Sequence, residues 1–417
     1  MSLKYFLPDW EDRLDPNYNF ETDTFSRDRK SAYATDVYAH QIFNIPPYDG
    51  ILISLAIFKN KLYLQSNENG EKKVRQFSSI RDYLRINGNL KVMGDCGAFN
   101  YVNEDIPPDD YKTEKVADLY NALHFDYGVS VDHMIPDFII KRTKKGKSKK
   151  VKLTKKQKEA RRQLSLFNAD KFIKYSKKKK FRFIPIGAAQ GYSPETYADS
   201  VSQLIDMGYK YIGIGTLVPK SDNEIIEILK KVKKVIGRKK IKIHLFGILR
   251  QNKLSEFKSL GTTSFDSASY LRKAWLRAGQ NYLSKDGQWY AAIRIPYSNN
   301  PVLLKNAKKD GLTEAEIEKM EKNALKMLRA YASRKIKNVE RVLKAILSYD
   351  MLLLRDYDGN HHYEKYKKTL LDRPWEKCNC EICSNIGVEV IIFRGANRNK
   401  RRGFHNIKMF YEQLKGL

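Results

Sequence analysis

The chain is short of cysteine, of acidic residues and of long apolar runs, and each shortage excludes a class of protein. Four cysteines in 417 residues are too few for the disulfide framework of a small secreted scaffold. No uninterrupted apolar stretch approaches the ~20 residues that cross a bilayer, so no membrane partner is expected. The opening Met1-Ser2-Leu3-Lys4-Tyr5-Phe6-Leu7-Pro8-Asp9-Trp10 lacks the apolar centre and cleavage site of a signal peptide. Reduced thiols without an export signal give a cytoplasmic expectation. No solenoid repeat is visible. Acids number 48 against 78 lysines and arginines, a net charge of +30, and the expected partner is a polyanion.

What the chain has is concentrated. Between Lys141 and Lys180, 19 basic residues meet two acids, Glu159 and Asp170, so this tenth of the chain carries +17 of the +30. The run has no amphipathic aromatic face for a membrane surface. It reads as a nucleic-acid contact rather than a solvated lysine-rich face. Three cysteines fall within Cys378-Asn379-Cys380-Glu381-Ile382-Cys383, and His405 follows in Gly403-Phe404-His405-Asn406. Three thiols and one imidazole are the ligand set of a closed tetrahedral zinc site, structural because no coordination position stays open. Cys378 and Cys380 are too close in sequence for an easy disulfide.

Along the chain, 1–50 is polar and aromatic without clear periodicity and ends in the turn cluster Ile45-Pro46-Pro47-Tyr48-Asp49-Gly50. Short apolar or β-branched runs then recur at 51–58, 90–94, 127–132, 181–189, 211–215, 241–247 and 262–266. Helical patterns at 193–207, 223–236 and 253–260 separate several of them. Strands alternating with helices imply a parallel sheet, either doubly wound or closed into an eight-fold barrel. Four run ends carry an acid or amide, Asp95, Asp132, Gln190 and Asp266, where a β/α barrel collects its chemistry. Residues 312–346 read as a charged helical stretch opening at Thr313-Glu314-Ala315-Glu316.

Asp95-Cys96-Gly97-Ala98-Phe99-Asn100 resembles the Asp-Ser-Gly-x-Phe-Gln motif of the tRNA-guanine transglycosylase superfamily. The run from Leu123-His124-Phe125-Asp126 to Asp132 is similar to its second aspartate segment. Ala189-Gln190-Gly191 resembles its Gln-Gly motif, and Gly215-Thr216-Leu217 its Gly-Gly-Leu turn. His244-Leu245-Phe246-Gly247 and Phe265-Asp266-Ser267-Ala268-Ser269-Tyr270 resemble archaeal-type versions of the next two, and the Cys-x-Cys-x2-Cys element completes the order.

The resemblance implies a TIM-type (β/α)8 barrel with a C-terminal zinc-binding subdomain. It also implies an enzyme that swaps a guanine in a nucleic acid for a 7-deazaguanine. By that resemblance Asp266 is the nucleophile at the sugar C1′, forming a covalent glycosyl-enzyme, and Asp95 is the general base for the incoming base. Asp132 accepts two hydrogen bonds from a guanine-like edge, helped by Gln190, Gly191, Gly215, Thr216, Leu217 and Gly247. Phe99 and Phe246 sandwich the base. Cys378, Cys380, Cys383 and His405 hold Zn2+. Three positions depart from the tRNA pattern: Cys96 for serine, Asn100 for glutamine, and Thr216 for the second glycine. His133 stands where bacterial tRNA enzymes that take an aminomethylated base carry an acid.

The segments 12–18, 38–43 and 46–50, with Gly128-Val129-Ser130-Val131-Asp132-His133, resemble the branch of the superfamily that inserts 7-cyano-7-deazaguanine (preQ0) into DNA. That branch is found in bacterial modification clusters and phages. DNA is therefore the expected polymer, tRNA the alternative, and a catalytically silent zinc-stabilised binder the third reading. The resemblance further implies base flipping, a homodimer, a helper ATPase, and the host cytoplasm if a phage encodes the chain. The expected organisation is an N-terminal segment 1–50 packed on the barrel, a barrel 51–346 containing the basic stretch 141–180, and a zinc subdomain with a closing helix at 347–417.

Overall fold

The computed structural model describes residues 2–58, 78–142, 148–276, 279–353 and 359–416. Residues 143–147 of the basic stretch and the side chain of His361 lie outside the described set. The strands, in chain order, begin with β1 (Lys4–Pro8), β2 (Gly50–Ser54), β3 (Lys91–Asp95), β4 (Tyr127–Val129), β5 (Phe138–Arg142) and β6 (Ser148–Lys152). They continue with β7 (Ile184–Ala189), β8 (Tyr211–Ile214), β9 (Lys242–Leu245) and β10 (Thr262–Asp266).

Eight of these close a barrel in the order β1-β10-β9-β8-β7-β4-β3-β2, and every pair within it is parallel. This is the TIM-type barrel that the family resemblance implies, and the closed one of the two parallel sheets that the alternation of runs and helical patterns allows. Phe6, Leu52, Met93, Val129, Ile186, Ala188 and Tyr211, from successive strands, fill its interior. The first strand is the one the sequence hides. In β1 Tyr5, Phe6 and Leu7 are all buried, so both faces are covered and no period-two alternation shows. Capped helices run between the strands, for example Pro194–Asp206 after Ser193 and Asp222–Ile236 after Ser221, each with a capping box. β5 and β6 stand outside the barrel as an antiparallel ribbon, inserted between β4 and the helix Lys155–Lys178.

The chain's contacts divide it into two units along lines other than 1–50, 51–346 and 347–417. One unit is Met1–Glu11 with Tyr48–Ala268, and holds the whole barrel. The other joins Asp12–Pro47 to Ser269–Gly416. In the second unit the stretch 312–346 is two helices, Glu314–Ala332 and Val339–Asp350. Arg334, at φ 62°, ends the first and Asn338 caps the second by accepting from the Arg341 N–H. Its last helix, Gly395–Lys415, packs on Ser269–Leu276. Gly403 permits the approach, since a Cβ there would lie 2.8 Å from the Leu271 carbonyl oxygen. Arg394, just before that helix, and Arg398, Arg401 and Arg402 in its N-terminal half are buried. Asp23, Glu321 and Glu389 pair with Arg394 and Arg398, and backbone carbonyls receive Arg401 and Arg402. No helix among the described residues is long and apolar enough to cross a membrane.

Candidate active site and metal centre

In a closed parallel barrel all strands end on one face, so the expected site residues are collected there by topology alone. Asp95 is the last residue of β3 and Asp266 the last of β10. Asp132 lies three residues past β4. Gln190 and Gly191 follow β7, Gly215, Thr216 and Leu217 follow β8, and Phe246 and Gly247 follow β9.

Two hydrogen-bonded groups organise this face. In the first, the Cys96 thiol donates to Asp132 Oδ1 at 3.1 Å and the Gln190 amide donates to Asp132 Oδ2. Gln190 Oε1 in turn accepts from Thr216 Oγ1 at 2.7 Å. Thr216 holds φ 54°, a left-handed conformation that a β-branched residue adopts only under constraint, as at functional sites. Gly215 is required beside it, because a Cβ there would lie 2.3 Å from Gln190 Nε2. The Cys96 and Gln190 donors thus hold the two oxygens of the Asp132 carboxylate.

The second group surrounds Asp266, and in it the parts of His244 and Ser264 were not expected. His244, fully buried on β9, lies 3.1 Å from Asp266 Oδ1 through Nε2 and 2.9 Å from Ser264 Oγ through Nδ1. Ser264 also meets the Tyr211 hydroxyl. The Gly247 N–H donates to the same Asp266 Oδ1 at 2.9 Å. Both hydrogen bonds to this carboxylate therefore reach Oδ1, and among the described residues none reaches Oδ2. The β9–β10 register pairs His244 with Ser264, so the imidazole shares a face with positions 264 and 266.

Burial sets the protonation of the cluster. Asp95 is pushed up to about 7, first by desolvation and then by the charges of Asp132 and Asp266. The Gly97 N–H, 3.1 Å from Asp95 Oδ2, opposes the shift only partly. Desolvation also raises Asp132, against the hydrogen bonds from Cys96 and Gln190. Burial and the neighbouring acids hold the Cys96 thiol well above its ordinary range, so it stays a neutral donor. His133 is lowered to about 4 by desolvation and lies 3.0 Å from the Glu104 carbonyl through Nε2, a neutral part of the scaffold.

The two expected stacking rings differ. Phe246 packs against the barrel core, with its ring over Gly213, where a Cβ would lie 2.2 Å from it. Phe99, in the turn Ala98–Tyr101, is 77% exposed. A cavity at the opposite end of the barrel, lined by Lys91, His124, Asp126 and Tyr127 among others, gathers starts of strands and none of these residues.

The second unit brings Cys378, Cys380, Cys383 and His405 together, with all four ligand atoms within 4.8 Å of one another. The sulfurs lie 3.7, 3.4 and 3.4 Å from His405 Nδ1. A tetrahedral ion bound at ordinary zinc–sulfur and zinc–nitrogen lengths needs a separation of about 3.6 Å, so the residues fit one. The Leu283 carbonyl oxygen, 2.7 Å from His405 Nε2, fixes Nδ1 as the ligating nitrogen. The Tyr282 ring stacks on the imidazole with centroids 4.1 Å apart. All four cysteines are free of disulfides.

The queuine tRNA-ribosyltransferase (TGT) family matches residues 49–391. A DNA-guanine transglycosylase from Salmonella montevideo is 36% identical over 414 residues, covering 99% of this chain and 96% of the relative. The barrel, the acids at its strand ends and these matches lead to one assignment: the chain belongs to the queuine tRNA-ribosyltransferase family and is a glycosyltransferase of the guanine transglycosylase kind.

Proposed function

We propose that this enzyme replaces a guanine in DNA with preQ0 through a covalent aspartyl-glycosyl intermediate on Asp266. The observation that carries the chemistry is the one-sided hydrogen bonding of Asp266. With Oδ1 pinned by His244 and the Gly247 N–H, Oδ2 is the oxygen left to attack. Its bond to C1′ forms as the C1′–N9 bond to guanine breaks, the departing guanine taking its proton from water, in the manner of a retaining glycosidase. Asp95 then takes the N9 proton of preQ0, that nitrogen attacks C1′, and the ester to Asp266 breaks. A base poised near neutrality suits this proton transfer. Asp132, held by Cys96 and Gln190, accepts the N1–H and exocyclic amine of either base. Phe246 supplies one stacking face and the exposed Phe99 the other when a base enters.

The pocket lies at the end of a closed barrel, so the target nucleotide must leave its stack, and lysines between 141 and 180 hold phosphates around it. The metal at the Cys3His centre is zinc in this reading, supported by the ligand softness and spacing. A homodimer and a helper ATPase are the further partners that the resemblance suggests. DNA is favoured over tRNA because the relative matched along nearly the whole chain is named for DNA, while the family description names tRNA and keeps it as the alternative. Incubation with radiolabelled preQ0 and duplex DNA or tRNA tests the choice. Label in DNA is expected; label in tRNA alone defeats the reading.

A further inference from the structure

The ribbon of β5 and β6 breaks the rule that an antiparallel pair packed on one side turns a polar face to water. Register pairs Phe138 with Lys152, Ile139 with Val151 and Ile140 with Lys150. Ile139, 2% exposed, faces the protein. Alternation then puts Phe138, Ile140, Lys150 and Lys152 on the other face, where Phe138 is 45% and Ile140 55% exposed. Lys150 Nζ sits 4.4 Å from the centre of the Phe138 ring, so apolar and cationic groups form one continuous surface.

Its place in the fold is fixed. The ribbon leaves the C-terminal end of β4 six residues after Asp132, on the face that carries the three aspartates. The Ile140 N–H donates to Asn103 Oδ1 at 2.8 Å, and Lys141 pairs with Asp105 at 3.7 Å. Both partners lie in the connection that follows β3 and Asp95. The buried Arg161 guanidinium ties that connection down, donating to the Val102, Glu104 and Met134 carbonyls. The ribbon thus stands on the rim of the barrel mouth and presents two apolar side chains flanked by lysines.

We propose that this face is a wedge for duplex DNA, in which Lys150 and Lys152 hold phosphates beside the target while Phe138 and Ile140 occupy the stack that the flipped guanine vacates. The proposal rests on the DNA reading above and adds to it the device that keeps the base out. An acidic protein surface would match the lysines but not the apolar pair between them. Apolar side chains inserted at base steps are the usual wedge of proteins that unstack DNA, and phosphate contacts of lysine supply sequence-independent affinity.

Two surface variants test it, Phe138→Ser/Ile140→Ser and Lys150→Gln/Lys152→Gln. Affinity for a fluorescein-labelled mixed-sequence duplex is measured by anisotropy at several salt concentrations, alongside preQ0 binding by calorimetry and label transfer into DNA. The apolar variant is expected to lose about tenfold or more in label transfer at subsaturating DNA while binding free preQ0 as the wild type does. The lysine variant is expected to lose about two units of salt slope. Variants that match the wild type in transfer and slope, with the wild type active on DNA, overturn the wedge and leave the proposed function standing. A wild-type enzyme that labels tRNA and not duplex overturns the DNA reading and, with it, DNA as the occupant of the ribbon.

Discussion

Asp95 gives the account its most quantitative prediction. Burial and two neighbouring carboxylates move its pKa from 3.8 to about 7, a shift of roughly three units, or about 4 kcal/mol against the charged form. The sign follows from linkage. The folded protein holds this proton more tightly than the unfolded chain, so the contribution to stability is fully present below about pH 4. It is lost as pH rises through 7. Activity runs the other way, because the base works only when ionised. The rate of preQ0 exchange, as kcat/KM, is expected to rise about tenfold per pH unit below 7 and to level above it. Asp95→Asn should remove this limb, lower exchange by about 10²–10⁴-fold, and raise the thermal midpoint relative to wild type at pH 8 but not at pH 4. The assay is label transfer from pH 5 to 9, with thermal unfolding at the two pH extremes. A profile flat between pH 5.5 and 8, or an Asp95→Asn enzyme that keeps the wild-type limb, would falsify the assignment of Asp95 as the base.

Other predictions are simpler. His244→Phe removes one of the two donors on Asp266 Oδ1 and should cost about 10–100-fold in kcat with the preQ0 KM unchanged; His244→Gln, whose amide can still donate, should recover part of it. An equal loss in both variants would deny His244 a positioning role. Cys96→Ser keeps a donor to Asp132 and should retain activity, whereas Cys96→Ala should raise the preQ0 KM about tenfold; equal behaviour of the two would remove the thiol from base binding. Cys380→Ala should lose the bound metal by elemental analysis and lower the thermal midpoint, since metal binding is coupled to folding of its site. Unchanged metal content takes Cys380 out of the ligand set.

Most of the residues that the structure gathers at the strand C-termini could be read from residue order because strand ends are marked locally. Asp95, Gln190 and Asp266 sit at the last position of a strand or just past it, and an apolar run ending in an acid or amide is visible without any knowledge of pairing. The Cys3His cluster was legible for the same reason, three of its members lying within six residues. What could not be read depends on pairing or burial. β1 carries no alternation because both of its faces are covered. His244 gains its meaning only when β9 is registered against β10.

Charge alone does not tell burial. The arginines between Arg394 and Arg402 are buried among acids and carbonyls. The run beginning at Lys141 conceals a ribbon whose distinctive feature is its exposed Phe138 and Ile140. Division of the chain into units was illegible too, because 12–47 joins residues more than 200 positions away.

The proposed covalent intermediate can be sought directly. Enzyme mixed with guanine-containing duplex in the absence of preQ0, denatured, digested and sequenced by mass spectrometry should yield one peptide carrying an abasic deoxyribose strand on Asp266, and Asp266→Ala should yield none. An adduct on another residue, or full exchange activity in Asp266→Ala, would contradict the claim that the carboxylate held by His244 and Gly247 is the nucleophile.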